Sequence, residues 1–344
     1  MSTVAVPSPP PTACEDAESL RKALQGNGHI ASRSQAMSTA SIFIFRWRAD
    51  KASLIGILCR RTAAQRAAIR RAYAFLYREP LLNCFRYKLS RHHLLSVDFW
   101  VLPPFTRHDS TCAQFPAKKL NFQKALILWT MVLIEVSCAS TPDHLMAVRN
   151  IYRKLFSCSI EEDVASSPAL QEPLKNMIVS LVSSYRYAGE HVDMDVAKLE
   201  AAQLSEAIRE KQLQRDEVVW IISTRSKSQL RATFQQCKED QGTDICEDIN
   251  RQCSSQFGRT LKSAVWCLTS PEKHFAQVIR YSILGLGTYE DMLTRVIVSR
   301  AEIDMKQIKE EYRARYKSAV TLDVAGDTSF GYRDMLLALV GSED

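Results

Sequence analysis

A helical pattern returns along this chain at intervals of about 75 residues, and few architectures accommodate that. Arg300 closes an apolar run ending Val-Ile-Val-Ser, and Arg225 closes one ending Ile-Ile-Ser-Thr, 75 positions earlier. Arg61 closes a run that begins at Leu54, and Ser140 takes the same place after Glu135 to Ala139. Five, eight and twelve positions beyond each anchor lie Met305, Ile308 and Tyr312; Leu230, Thr233 and Cys237; Leu145, Val148 and Tyr152; and Arg66, Ile69 and Tyr73. That spacing is one face of a helix. The set after Arg61 is the loosest match. Repeated units of several helices each predict an α-helical array, not one irregular bundle.

The last 70 or so residues carry the pattern most clearly. Phe275, Val278, Ile279 and Ile283 share a face, as do Leu293, Val296 and Ile297, then Met305, Ile308 and Tyr312, then Leu336, Leu339 and Val340. A further short helix is expected near Ser318 to Val324. Only 11 Gly and 12 Pro in 344 residues argue against a turn-rich β fold. Two segments break the period, 29–50 and 91–120, and read as long irregular loops. The Arg-rich run Arg60, Arg61, Arg66, Arg70, Arg71 reads as a solvated helix face. The most apolar stretch, Ala125 to Val136, is too short for a membrane span and is broken by Glu135, so a buried core helix is expected.

Met1 to Thr12, with four prolines, reads as a short extended tail and lacks a charged-then-apolar leader. The ten cysteines are therefore expected to be reduced thiols, and no Cys-x-x-Cys pair suggests zinc. Basic residues exceed acidic ones by seven, a lean toward anionic partners. No nucleic-acid module and no Walker-type phosphate loop is present, so neither specific nucleic-acid binding nor nucleotide hydrolysis is expected.

The sharpest local motif is Gly285-Leu286-Gly287-Thr288, between two predicted helices. Its glycines let several carbonyls turn toward one point. Thr288 reads as an N-cap, with Asp291 completing a capping box. A hard cation such as Ca²⁺ takes about six to eight oxygens and needs a carboxylate as well. Asp327, 40 residues after Gly287 in a Gly-Asp-Thr turn, could supply it. Taken alone, Gly-x-Gly-Thr fits a plain helix–turn–helix better than a calcium loop.

The whole pattern resembles the plant annexins. Glu161-Glu162-Asp163-Val164, Ser184-Tyr185-Arg186-Tyr187, Ser223-Thr224-Arg225-Ser226, Pro271-Glu272-Lys273, Arg300-Ala301-Glu302-Ile303-Asp304-Met305 and Gly326-Asp327-Thr328-Ser329 carry the likeness across residues 132–344. Residues 15–28, 51–90 and 121–131 match a first repeat. The resemblance implies an all-α annexin fold, a four-repeat helical array, with the first two repeats disrupted by insertions and a deletion. Its parts would be a tail (1–14), repeat one (15–131), a truncated repeat two (132–190), repeat three (191–270) and repeat four (271–344). It further implies a Ca²⁺ site formed by the carbonyls of Ile283, Gly285 and Gly287 with the Asp327 side chain, and Leu286 facing a bilayer.

Elsewhere the annexin pattern fails. Repeat one keeps Leu24, Gly26 and Gly28, but His29 replaces the Thr and Lys88 stands at the carboxylate position, a degraded site. Repeat two lacks its first helix and loop and has Ser167 in place of an acid. Repeat three reads Lys211-Gln212-Leu213-Gln214-Arg215, with no glycine. The expected function is calcium-dependent binding to anionic phospholipid membranes, as a cytoplasmic, reversibly attached peripheral protein that self-associates on membranes and serves in stress response. It is not expected to be an enzyme. The alternative is a redox-active or peroxidase-like annexin using Cys138 and Cys267. Against a haem ligand, Arg60 replaces the family's histidine. His29, His92 and His93 read as surface residues, and Cys138 with His144 lacks oxyanion donors.

Overall fold

The twelve positions picked out by the recurrence are all buried in the computed structural model of the chain. Residues 1–25, 49–88, 122–285 and 287–343 are described, with the side chains of 86–88, 122–127 and 330 left aside. Among them there is no strand, and no helix is long and apolar enough to cross a membrane. The first helices are α1 (Ala13–Gln25), α2 (Lys51–Leu58), α3 (Ala63–Tyr77) and α4 (Leu81–Lys88). Next come α5 (Phe122–Ile134), running on as a π-helical turn Glu135–Ala139, then α6 (Pro142–Phe156), α7 (Ile160–Ser166) and α8 (Leu174–Ser183). The stretch 191–270 holds α9 (Met194–Arg209), α10 (Asp216–Thr224), α11 (Lys227–Gln241), α12 (Ile245–Gln252) and α13 (Gln256–Thr269). The last stretch holds α14 (Pro271–Ile283), α15 (Glu290–Arg300), α16 (Met305–Tyr316), α17 (Val320–Asp327) and α18 (Phe330–Val340).

The repetition reaches the backbone. Helices α3, α6, α11 and α16 each end in a left-handed residue, at Arg78, Ser157, Gly242 and Lys317. Only one of the four is glycine, so packing of the repeat imposes that conformation on side chains that disfavour it. Three of these helices start alike, with a Thr or Ser cap: Thr62 bonds the Gln65 amide, Thr141 that of His144 and Ser226 that of Gln229.

The chain divides into two compact units. One combines Met1–Arg107 with Phe275–Asp344, and the other is His108–His274. In the first, α1 packs on α2 and α3, and α18 packs on α2, α15 and α17. The amino-terminal tail is held: the Thr3 amide donates to the Ala301 carbonyl at 2.9 Å, and its hydroxyl reaches the Leu339 carbonyl at 2.5 Å. In the second unit, α9 lies against α11, α8 against α5, and α13 against α5 and the π-turn. Glu135, which interrupts the apolar run, is buried there with its Oε1 3.1 Å from His274 Nε2.

The position between 131 and 132 falls inside α5, which has no glycine or proline to break it. One expectation changes. The arginine run after Arg60 is not one solvated face. Arg61 is buried against Asp16, and Arg66, 1% exposed, pairs with Glu302 at 2.8 Å. These guanidiniums occupy the core side of α3 because acids from α1 and from the turn before α16 meet them there. Arg60 and Arg71 alone of the five are exposed.

Candidate metal centre

The loop between α14 and α15 is shaped by Gly285 (φ +115) and Gly287 (φ +94), both in a backbone region that side chains rarely enter. A Cβ on either would meet no atom within 4 Å, so backbone angle, not crowding, calls for glycine. The loop is closed by the Tyr289 amide, which donates to the Ser282 carbonyl at 2.8 Å. Among the described residues no donor reaches the carbonyls of Ile283, Gly285 or Gly287 outside the regular helices. Leu286 lies outside the described residues.

Asp327 is the last residue of α17. The Thr288 hydroxyl lies 2.6 Å from its Oδ2 and 2.8 Å from its carbonyl oxygen. A hydroxyl has one proton, and the charged acceptor holds it more strongly, so Thr288 donates to the carboxylate. The acid therefore stands against the residue next to Gly287. This overturns the expected cap. Helix α15 begins one residue later, with Tyr289 at the N-cap and no side-chain cap bond, and the Thr288 hydroxyl instead donates to a carboxylate 39 residues away. Nor does Asp291 complete a capping box.

A second tie joins the same two segments. The Tyr332 hydroxyl, in the first turn of α18, donates to the Glu290 carbonyl at 3.1 Å and lies 2.9 Å from Thr294 Oγ1. Nothing in the sequence singled out Tyr332, although it falls five residues after the acid. Burial raises its phenol well above the ordinary range, so it stays a proton donor.

Among the described residues no three His, Cys, Asp or Glu side chains converge on a point suited to a metal. An ion at this loop would thus depend on main-chain oxygens plus one carboxylate. That all-oxygen donor set suits Ca²⁺ and not a thiophilic or imidazole-seeking metal.

The other loops differ. Leu24 is buried near the end of α1, while Gly26, Gly28 and His29 lie outside the described residues, as do His92 and His93. Lys88 ends α4 and Ser167 follows α7. The turn Lys211–Arg215 folds inward: the Gln212 amide donates to the Ala207 carbonyl at 2.8 Å and Leu213 is buried. The Arg215 guanidinium there donates to Gln212 and Glu210, so the turn itself carries a cation, which disfavours a metal ion beside it. Cys138 and Cys267 are both fully buried, and burial pushes the Cys138 thiol above its usual value. Inaccessible sulfur offers the redox alternative no support.

Residues 199–264 and 274–339 each match the annexin family model. Annexin D3 of Arabidopsis thaliana is 37% identical over 347 aligned positions that take in 100% of both chains. The chain belongs to the annexin family. Another plant relative, the annexin-like protein RJ4 of Fragaria ananassa, is 37% identical to this annexin, with 97% of this chain and 98% of that one covered. Among solved structures, annexin III superposes with a TM-score of 0.82 at 25% identity, covering 100% of this annexin and 98% of that chain.

Proposed function

We propose that this annexin binds anionic phospholipid surfaces in response to Ca²⁺, through the loop after α14 and the acid that ends α17. The observation that carries this is the meeting of Asp327 with Thr288 at 2.6 Å, which brings a carboxylate to a glycine loop whose carbonyls meet no backbone donor among the described residues. Tyr281, Leu284 and Tyr289, each about half exposed or more, flank the loop, and such side chains sit well at a membrane interface. An excess of seven basic residues adds attraction to anionic lipid. With the loops of repeats one to three lacking either glycines or an acid, one ion per chain is expected. A single site forgoes the gain that several linked weak sites provide, so docking needs more calcium. On this reading the protein acts by binding and not by catalysis, from a cytoplasmic pool that exchanges with membranes.

Isothermal titration of the full chain with CaCl₂ should show about one site, and Asp327→Ala should weaken it by more than about tenfold, since charge-assisted contacts are worth about 1.5–3 kcal/mol. Sedimentation with phosphatidylserine vesicles should follow the same order. Equal calcium affinity in Asp327→Ala would reject the assignment.

A further inference from the structure

We propose that Tyr332 is a positioning residue that holds the two halves of the calcium site in register. The inference rests on the calcium reading of this loop. The loop carbonyls hang between α14 and α15, whereas the acid ends α17, so the site exists only while these separate segments stay aligned. Two side-chain ties join them. The Thr288 bond uses Asp327 Oδ2 itself, an oxygen that a bound ion also requires. Tyr332 touches neither the acid nor a loop carbonyl, so its bonds persist whether or not an ion is present.

Its placement suits the task. Helices α15 and α18 both start without a side-chain cap bond, at Tyr289 and Ser329. The Tyr332 hydroxyl donates to the Glu290 carbonyl, in the first turn of α15, and Thr294 one turn on supplies its hydroxyl proton to Tyr332. Tyr332 and Thr294 are 5% and 4% exposed, so water competes little for these bonds. Glu290 follows Tyr289, whose amide closes the loop on Ser282. The phenol thus anchors α15 at the residue that leaves the loop, while its own helix begins three residues after the acid.

The test is calcium titration of the full-length protein carrying Tyr332→Phe, which keeps the ring and removes the hydroxyl. Thr294→Val breaks the other side of the same network. Leu336→Val, one turn further along α18, removes buried volume without touching the network and serves as the control. Thermal midpoints in EGTA give the structural cost of each. Tyr332→Phe is expected to weaken calcium about tenfold and Thr294→Val about threefold, with Leu336→Val within about twofold of native at equal or greater loss of midpoint. Native affinity in Tyr332→Phe, or equal weakening by Leu336→Val, would overturn the assignment of Tyr332 alone. A native chain that takes up no calcium would overturn the calcium reading with it.

Discussion

Removing the Asp16 carboxylate should unfasten the amino-terminal helix. Asp16 receives Arg61 Nε at 2.6 Å and Nη2 at 2.7 Å, a bidentate pair with side chains 5% and 4% exposed. In Asp16→Ala the guanidinium stays buried with one remaining bond, from Nη1 to the Arg60 carbonyl at 2.9 Å. Breaking a buried pair by deleting one partner costs about 3–5 kcal/mol, most of it the stranded charge. Because the unit contains two distant chain segments, a global melt would blur the effect. Hydrogen–deuterium exchange over Ala13–Gln25 reads it locally. Protection there should fall roughly 150- to 5,000-fold, while α9 to α13 in the other unit keep theirs. The paired replacement Asp16→Leu with Arg61→Met should lose less than the single change, because no charge is left behind. A fall of under about tenfold in Asp16→Ala, or a double variant worse than the single, would refute this reasoning.

Cys14 is exposed whereas Cys138 and Cys267 are fully buried, so a maleimide added to native protein should modify Cys14 and spare those two until denaturant is added; prompt native labelling of Cys138 would revive a redox role. Gly285→Ala enters open space but must hold φ near +115, a strain of about 1–3 kcal/mol, so calcium affinity should drop roughly tenfold; unchanged affinity would mean the loop angle is not needed for binding. Anionic vesicles should still sediment part of the protein in EGTA at low salt, since each basic residue near the surface contributes about 1 kcal/mol, and release it at high salt. Residual binding that survives high salt would point to an apolar attachment instead.

Local patterns were legible where the physics is local. Leu145, Val148 and Tyr152, like their counterparts in the other repeats, sit inside because a helix of that period has one face to bury. The glycine loop was also readable as a break between two helices, because Gly285 and Gly287 hold backbone angles that other residues rarely adopt. What escaped was set by partners far along the chain. Arg61 and Arg66 look like surface residues until Asp16 and Glu302, 45 and 236 positions away, are placed beside them. Thr288 looks like a helix cap, but α15 starts one residue later and the threonine hydroxyl is turned to Asp327.

The Glu302 carboxylate receives both the Ala63 amide and the Arg66 guanidinium, which lie 239 and 236 residues earlier. On a ribosome adding about 5–20 residues each second, Glu302 is made about 12–48 seconds after the start of α3. The middle unit can finish folding in that interval, but the opening helices wait for a closing piece not yet synthesised. A nascent chain of this kind leaves the Arg66 guanidinium without its acid until the end is released, and a stop codon near residue 300 would remove that acid for good.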